Sequence, residues 1–159
     1  MRLIHEVLFD DALAVVGRSG HPLSDLESVR LGDLAAYSWV VPRRSTPTRE
    51  AFEQMFRARK KPASIVESSS LILIRGLLLA SDQLTLISSR LVQFEISHGF
   101  LSELPVSVSV PTRSIGLTWR DGWRPTAAQA HFMACLREAA EQANQVFPRQ
   151  VGYRSRYLI

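Results

Sequence analysis

The chain carries a single cysteine, Cys135, in 159 residues. An internal disulfide is therefore excluded, and a lone thiol suits a reducing compartment. Long hydrophobic runs are also missing. The most apolar stretch, Leu71 to Leu79, is broken by Arg75 and Gly76 and falls short of the roughly 20 residues that cross a bilayer. The opening segment MRLIHEVLFDD puts acids where a secretion signal needs an apolar core, so no membrane association is expected and the cytoplasm is the expected location. The histidines are few and scattered, at His5, His21, His98 and His131, and no two of them have the spacing of a helical metal-ligand pair. There is no G-x-S-x-G nucleophile elbow, no phosphate-binding P-loop and no G-x-G-x-x-G. These gaps leave catalysis without a nucleophile and a cofactor without a cradle, so no enzyme activity, metal or cofactor is expected.

Charge of one sign is scarce as well. The net charge of +4 is concentrated in residues 149–159, where Arg149, Arg154 and Arg156 meet no acid, leaving +1 for residues 1–148. No stretch interleaves Lys or Arg with aromatics as a single-strand binder does. Direct contact with nucleic acid is not expected of this chain.

What the sequence has is an ordinary globular composition, 46% hydrophobic and 21% charged, arranged around Ile65 to Arg90. This stretch reads as a strand (Ile65 to Glu67), three serines, an apolar helix (Leu71 to Ala80) and a second strand (Leu84 to Ile87). Two strands joined by a helix of this length make a βαβ unit of a parallel sheet. The helix is apolar on almost every side, which predicts cover from the sheet and from a second layer. The fold class is α/β.

The rest of the chain is laid against this unit. Arg2 to Leu8 reads as a short strand, Phe9-Asp10-Asp11 as an interruption, and Ala12 to Gly17 as a buried strand. Trp39 to Val41 is another short apolar strand ended by Pro42. Thr46-Pro47 starts a helix, with threonine as cap and proline at the first position. That helix is expected to run to about Lys60, with Phe52, Met55 and Phe56 inward and Arg49, Glu53, Arg57 and Lys60 outward. Leu91 to Ile96 is a shorter helix. Leu101 to Val110 is a strand that Pro105 demotes to an edge or loop, and Arg113 to Arg120 is the last strand. A capping box, Thr126 with Gln129, opens a helix to about Val146. Its expected buried stripe is Ala128, Phe132, Cys135, Leu136, Ala139 and Ala143.

In an open α/β sheet, ligands collect where strands end and helices begin. Two such turns are rich in hydroxyls. One, after Val41, offers Arg43, Ser45, Thr46 and Thr48, and the other, after Glu67, offers Ser68 and Ser69. If the two strands are neighbours, both turns face one place. Two uses for these hydroxyls stay open: capping the helices, which Thr46 and Ser69 could do alone, or holding a polar or anionic ligand.

Four segments in order carry a resemblance: LFDDALAVVGRSGHPL, LGDLAAYSWVVPRRSTPTREAFEQMF, VESSSLILIRGLLLASDQLTLISS and IGLTWRDGWRPTAAQAHFMACLREAA. Together they resemble the C-terminal effector-binding domain of LysR-type transcriptional regulators. The marks are the strand with His-Pro-Leu at Ala12–Leu23, the Asp33–Pro42 segment, and the Trp-Arg…Pro-Thr start of the last helix at Trp119–Phe132. At Ser81-Asp82-Gln83 the chain departs from the Gly-x-Gly turn that many members carry.

The resemblance implies a fold like the type II periplasmic binding proteins, two α/β half-domains with a small effector in the cleft. It implies one complete half-domain with a mixed, mostly parallel sheet at residues 9–122. Residues 1–8 and 123–147 are then remnants of the other half-domain, and 148–159 a basic tail. The family's winged helix-turn-helix is absent from the sequence, so the chain is expected to be a truncated piece that meets DNA only through that missing part. The implied partners are a small effector (a carboxylate, a phosphate or a sugar-like molecule) and a second copy in a homodimer. A transport-type binding protein of the same fold with no regulatory role is the competing reading.

Overall fold

The computed structural model describes residues 2–57, 61–106 and 112–146. The contacts divide the chain into two compact units, Met1–Asp11 with Thr112–Ile159, and Ala12–Pro111.

Strand β1 (Leu3–Arg18) is continuous and contributes to both units. The expected break at Phe9-Asp10-Asp11 does not occur, because these acids find partners rather than making a turn. In the first unit β1 pairs with β6 (Thr112–Arg120). There Arg113 donates from Nε to Asp11 Oδ2 at 2.8 Å, and the Ser114 hydroxyl donates to Asp10 Oδ1 at 3.0 Å. Gly116 allows the close approach, since a side chain there would meet the Glu6 carbonyl. Helix α5 (Ala127–Val146) belongs to the same unit. Thr126 and Gln129 form the expected reciprocal cap, the Gln129 amide N–H donating to Thr126 Oγ1 and Thr126 N–H to Gln129 Oε1. Arg137 grips Glu6 through two hydrogen bonds of 2.7 Å.

The packed face of α5 is not the expected stripe. Ala140 is buried and Met133, Leu136 and Arg137 are half-buried, whereas Phe132 is 63% exposed and Cys135 and Ala139 are exposed. The face that carries Arg137 is turned to Glu6 of β1, where the pair forms. Apolar spacing alone could not anticipate that.

The second unit is a sheet with helices on both faces. Its strands are β2 (Ser38–Val41), β3 (Ser64–Glu67), β4 (Thr85–Ser88) and β5 (Leu101–Glu103), beside the C-terminal half of β1. Strand β2 is parallel to β3 along its length and bridges β4 in parallel through Trp39 and Leu84. Strand β1 is antiparallel to both β4 and β5. The sheet is mixed, as expected, with a smaller parallel share. β2 thus lies between the two strands of the βαβ unit.

Alternation along the strands separates two cores. Val15, Trp39, Val41 and Leu86 point to one face, where α1 (Leu31–Leu34) and α2 (Pro47–Met55) supply Leu31, Leu34, Phe52 and Phe56. Trp39, Phe52 and Phe56 pack ring against ring at 5.1–5.6 Å. Val16, Val40 and Ile87 point to the other face, where α3 (Leu71–Ala80) supplies Ile74 and Leu78. A 3₁₀ turn (Ser89–Val92) and α4 (Gln93–Ser97) follow, the latter stopped by Gly99 at φ +72°.

Only one side of α3 is covered, against the expectation of two. Ile72 is 83% exposed, and Leu73 and Leu79 are also exposed. Helix α2 ends at Met55, with Phe56 as its C-cap and Arg57 in a turn, short of the expected end near Lys60. Residues 58–60, the segment 107–110 and the tail 148–159 lie outside the described residues.

Candidate functional site

Strands β2 and β3 end level with one another, Val41 beside Glu67. The two hydroxyl-rich turns therefore leave the sheet side by side, as their position after parallel neighbours predicts. A backbone bond from Ser68 N–H to the Val41 carbonyl, 2.9 Å, extends the pairing into the turn.

Two of the six candidate side chains are committed to the backbone. Thr46 caps α2: its hydroxyl accepts from Arg49 N–H at 3.3 Å and donates to the Arg43 carbonyl at 3.1 Å. Ser68 is buried, and its hydroxyl accepts from Ser70 N–H at 3.1 Å. The cap of α3 is Ser70 rather than Ser69, with its hydroxyl accepting from Leu73 N–H at 3.4 Å. Among the described residues this leaves the Arg43 guanidinium and the hydroxyls of Ser45, Thr48 and Ser69 without a side-chain partner. Arg43, Ser45 and Ser69 are exposed and Thr48 is half-buried. Ser45 sits at φ +66°, a left-handed conformation that a non-glycine residue adopts at a cost of about 1 kcal/mol or more.

Arg49 is the residue at these turns that sequence reasoning missed. Expected on the solvent side of α2, it is 4% exposed. Its guanidinium donates to Glu53 Oε1 and Glu67 Oε1, each at 2.8 Å, and to the Pro42 carbonyl at 3.3 Å. It thereby ties the end of β2, the end of β3 and the first turns of α2 into one block under the candidate residues. Only Glu53, four residues on, was a local signal; Glu67 is 18 positions away.

The two turns present a cation, three hydroxyls and the N-terminal turns of two helices, with the positive ends of their dipoles, a donor set whose chemistry suits a polar or anionic group. Among the described residues no three His, Cys, Asp or Glu side chains gather to hold a metal. Among the same residues no helix is long and apolar enough to cross a membrane. Cys135 is exposed on α5, where burial was expected.

The family model for the LysR substrate binding domain matches residues 1–141. The chain belongs to this family. Among curated relatives of this LysR domain, the HTH-type transcriptional regulator GalR of Pseudomonas putida is 37% identical over 144 residues, 89% of this chain and 36% of that protein. PcaQ of Agrobacterium fabrum, another HTH-type transcriptional regulator, is 30% identical over 137 residues, 85% of this chain and 44% of that protein. The chain thus spans less than half the length of these relatives. Among solved structures, the CcmR regulatory domain of Synechocystis PCC6803 in complex with 2-PG superimposes with a TM-score of 0.75. It is 18% identical, and the match covers 89% of this chain and 68% of that one. The reduced OxyR regulatory domain of Pseudomonas aeruginosa gives 0.65 at 20% identity, covering 88% and 66%. The α/β fold of the LysR domain is accordingly of the periplasmic-binding-protein-like type.

Proposed function

We propose that this LysR substrate-binding domain senses a small polar or anionic metabolite and thereby controls transcription by a regulator whose DNA contacts are made outside this chain. The domain works by binding rather than catalysis, in the cytoplasm and as a homodimer. In this reading residues 9–122 serve as one half-domain of the effector fold, and residues 1–8 and 123–147 contribute to the other.

The supporting observation is the pair of turns at the ends of β2 and β3, where Arg43, Ser45, Thr48 and Ser69 keep unspent donors above the block held by Arg49. Thr46 and Ser68 shape the turns through their backbone bonds. A carboxylate, a phosphate or a sugar hydroxyl would each be met by these groups.

The test is a thermal-shift and calorimetric screen of small carboxylates, sugar phosphates and sugars. A true effector raises Tm with the logarithm of its concentration once that exceeds Kd. Its affinity should fall about tenfold, on the order of 1.4 kcal/mol, in Thr48→Ala or Ser69→Ala. A binder whose affinity is untouched in both variants and in Arg43→Ala would place the effector elsewhere.

A further inference from the structure

The outer flank of α2 carries a second feature, which shares no residue with the six candidates. A cavity of about 360 Å³ lies along the helix, lined among others by Arg44, Arg49, Arg57, Lys61, Pro62 and Ile65. Its charges do not balance. Arg49 is satisfied by Glu53 and Glu67. Among the described residues, Arg44, Arg57 and Lys61 have no carboxylate partner, and Glu53, already paired, is the one acid in the lining. Pro62 and the partly exposed Ile65 give the cavity apolar surface between these cations.

From this arrangement we propose a second binding site, for a compact polycarboxylate. Three unpaired cations lining one concave space repel one another, and the two guanidiniums of Arg44 and Arg57 each carry a planar fork suited to a carboxylate. A ligand with one charge would leave two of the three unmatched, whereas a tricarboxylate matches all three. The volume lies near the lower end of small-molecule sites, which excludes a polymer chain wrapped inside it. The carbon surface of Pro62 and Ile65 favours a ligand with methylene groups over a bare inorganic anion. A solvated basic helix face would need no concavity and no carbon surface beside its charges. The site stands apart from the effector reading: either could hold without the other.

The experiment is isothermal titration calorimetry of the full chain with citrate at pH 7.5, with acetate and inorganic pyrophosphate as comparison ligands. The variants are Arg57→Gln/Lys61→Gln, both exposed and unpaired, and Thr48→Ala/Ser69→Ala. Citrate should bind at one site, at least tenfold more tightly than acetate. Its affinity should fall at least tenfold in the Arg57/Lys61 variant and stay within twofold of the parent in the Thr48/Ser69 variant. Raising NaCl from 50 to 500 mM should weaken it severalfold. Absence of citrate binding, or binding that survives the Arg57/Lys61 change, overturns the proposal. So does a loss confined to the Thr48/Ser69 variant, which would seat the anion at the effector turns. Pyrophosphate binding more tightly than citrate overturns the choice of a carbon-bearing ligand.

Discussion

A histidine with no exposed surface must settle which nitrogen carries its proton. His21 is fully buried, packed on Tyr37 with ring centroids 4.6 Å apart. Its Nδ1 accepts from Leu23 N–H at 3.1 Å, so the proton belongs on Nε2, 3.3 Å from the Asp82 carbonyl. Burial pushes the imidazole below its ordinary range, against the smaller opposing pull of the Asp82 carbonyl. The folded protein therefore holds His21 neutral where the unfolded chain, near pH 6.5, takes up a proton. Below that pH the unfolded state binds more protons, so unfolding free energy falls as pH drops from about 6.5 towards the depressed folded value; above it the contribution is complete. Urea titrations at pH 7.5, 6.5 and 5.5 should show this loss. His21→Gln, less stable throughout, should lose less over the same interval. An equal loss in both proteins would assign the effect to other groups.

Single elements explain how far the fold could be read in advance. Most strands and helices were legible, because Thr46-Pro47, the short apolar run Trp39–Val41 ended by Pro42 and the Thr126/Gln129 box are local signals. Long-range pairings were not. The acids of β1 look like turn formers until Arg113 and Ser114, over 100 residues on, supply their partners. The all-round apolarity of α3 suggested two covering layers, but only the Ile74 and Leu78 side is covered. At the candidate site the sequence located both turns, while the division of labour between Ser69 and Ser70 depended on backbone geometry. Arg49 went unseen because a cation on a helix is normally solvated. Three elements meet at its guanidinium, so removing it should loosen all three. Glu53 and Glu67 stay half-hydrated when it is gone, which limits the penalty to about 1–3 kcal/mol, well short of a fully buried broken pair. Arg49→Met should lower the urea midpoint accordingly, whereas Arg43→Ala should leave it unchanged. Equal effects would deny Arg49 its bracing role.

At the scale of the whole molecule, apolar surface remains unaccounted for within each unit. On α5 the exposed Phe132 stands near Cys135 and Ala139, and a large apolar side chain left in water forgoes about 1.5–3 kcal/mol. Such a stripe normally marks an interface. A homodimer using it should sediment as such at micromolar concentration, and Phe132→Asp should shift the equilibrium to monomer with little change in stability, since the side chain packs on little within its own chain. A wild-type monomer over that range would rule the contact out. The strand order carries a different consequence, for synthesis on the ribosome. β2 is flanked by β3 and β4, and β1 by β4 and β5, so the strands made first wait for partners made later. At about 5–20 residues per second, the interval from Arg18 to Leu101 lasts on the order of 4–17 seconds. Until β3 and β4 have been made, Val15, Val16, Trp39 and Val40 lie in apolar strands with open edges. Closure of the sheet therefore waits for the chain beyond Leu84, and the last edge of β1 for Leu101.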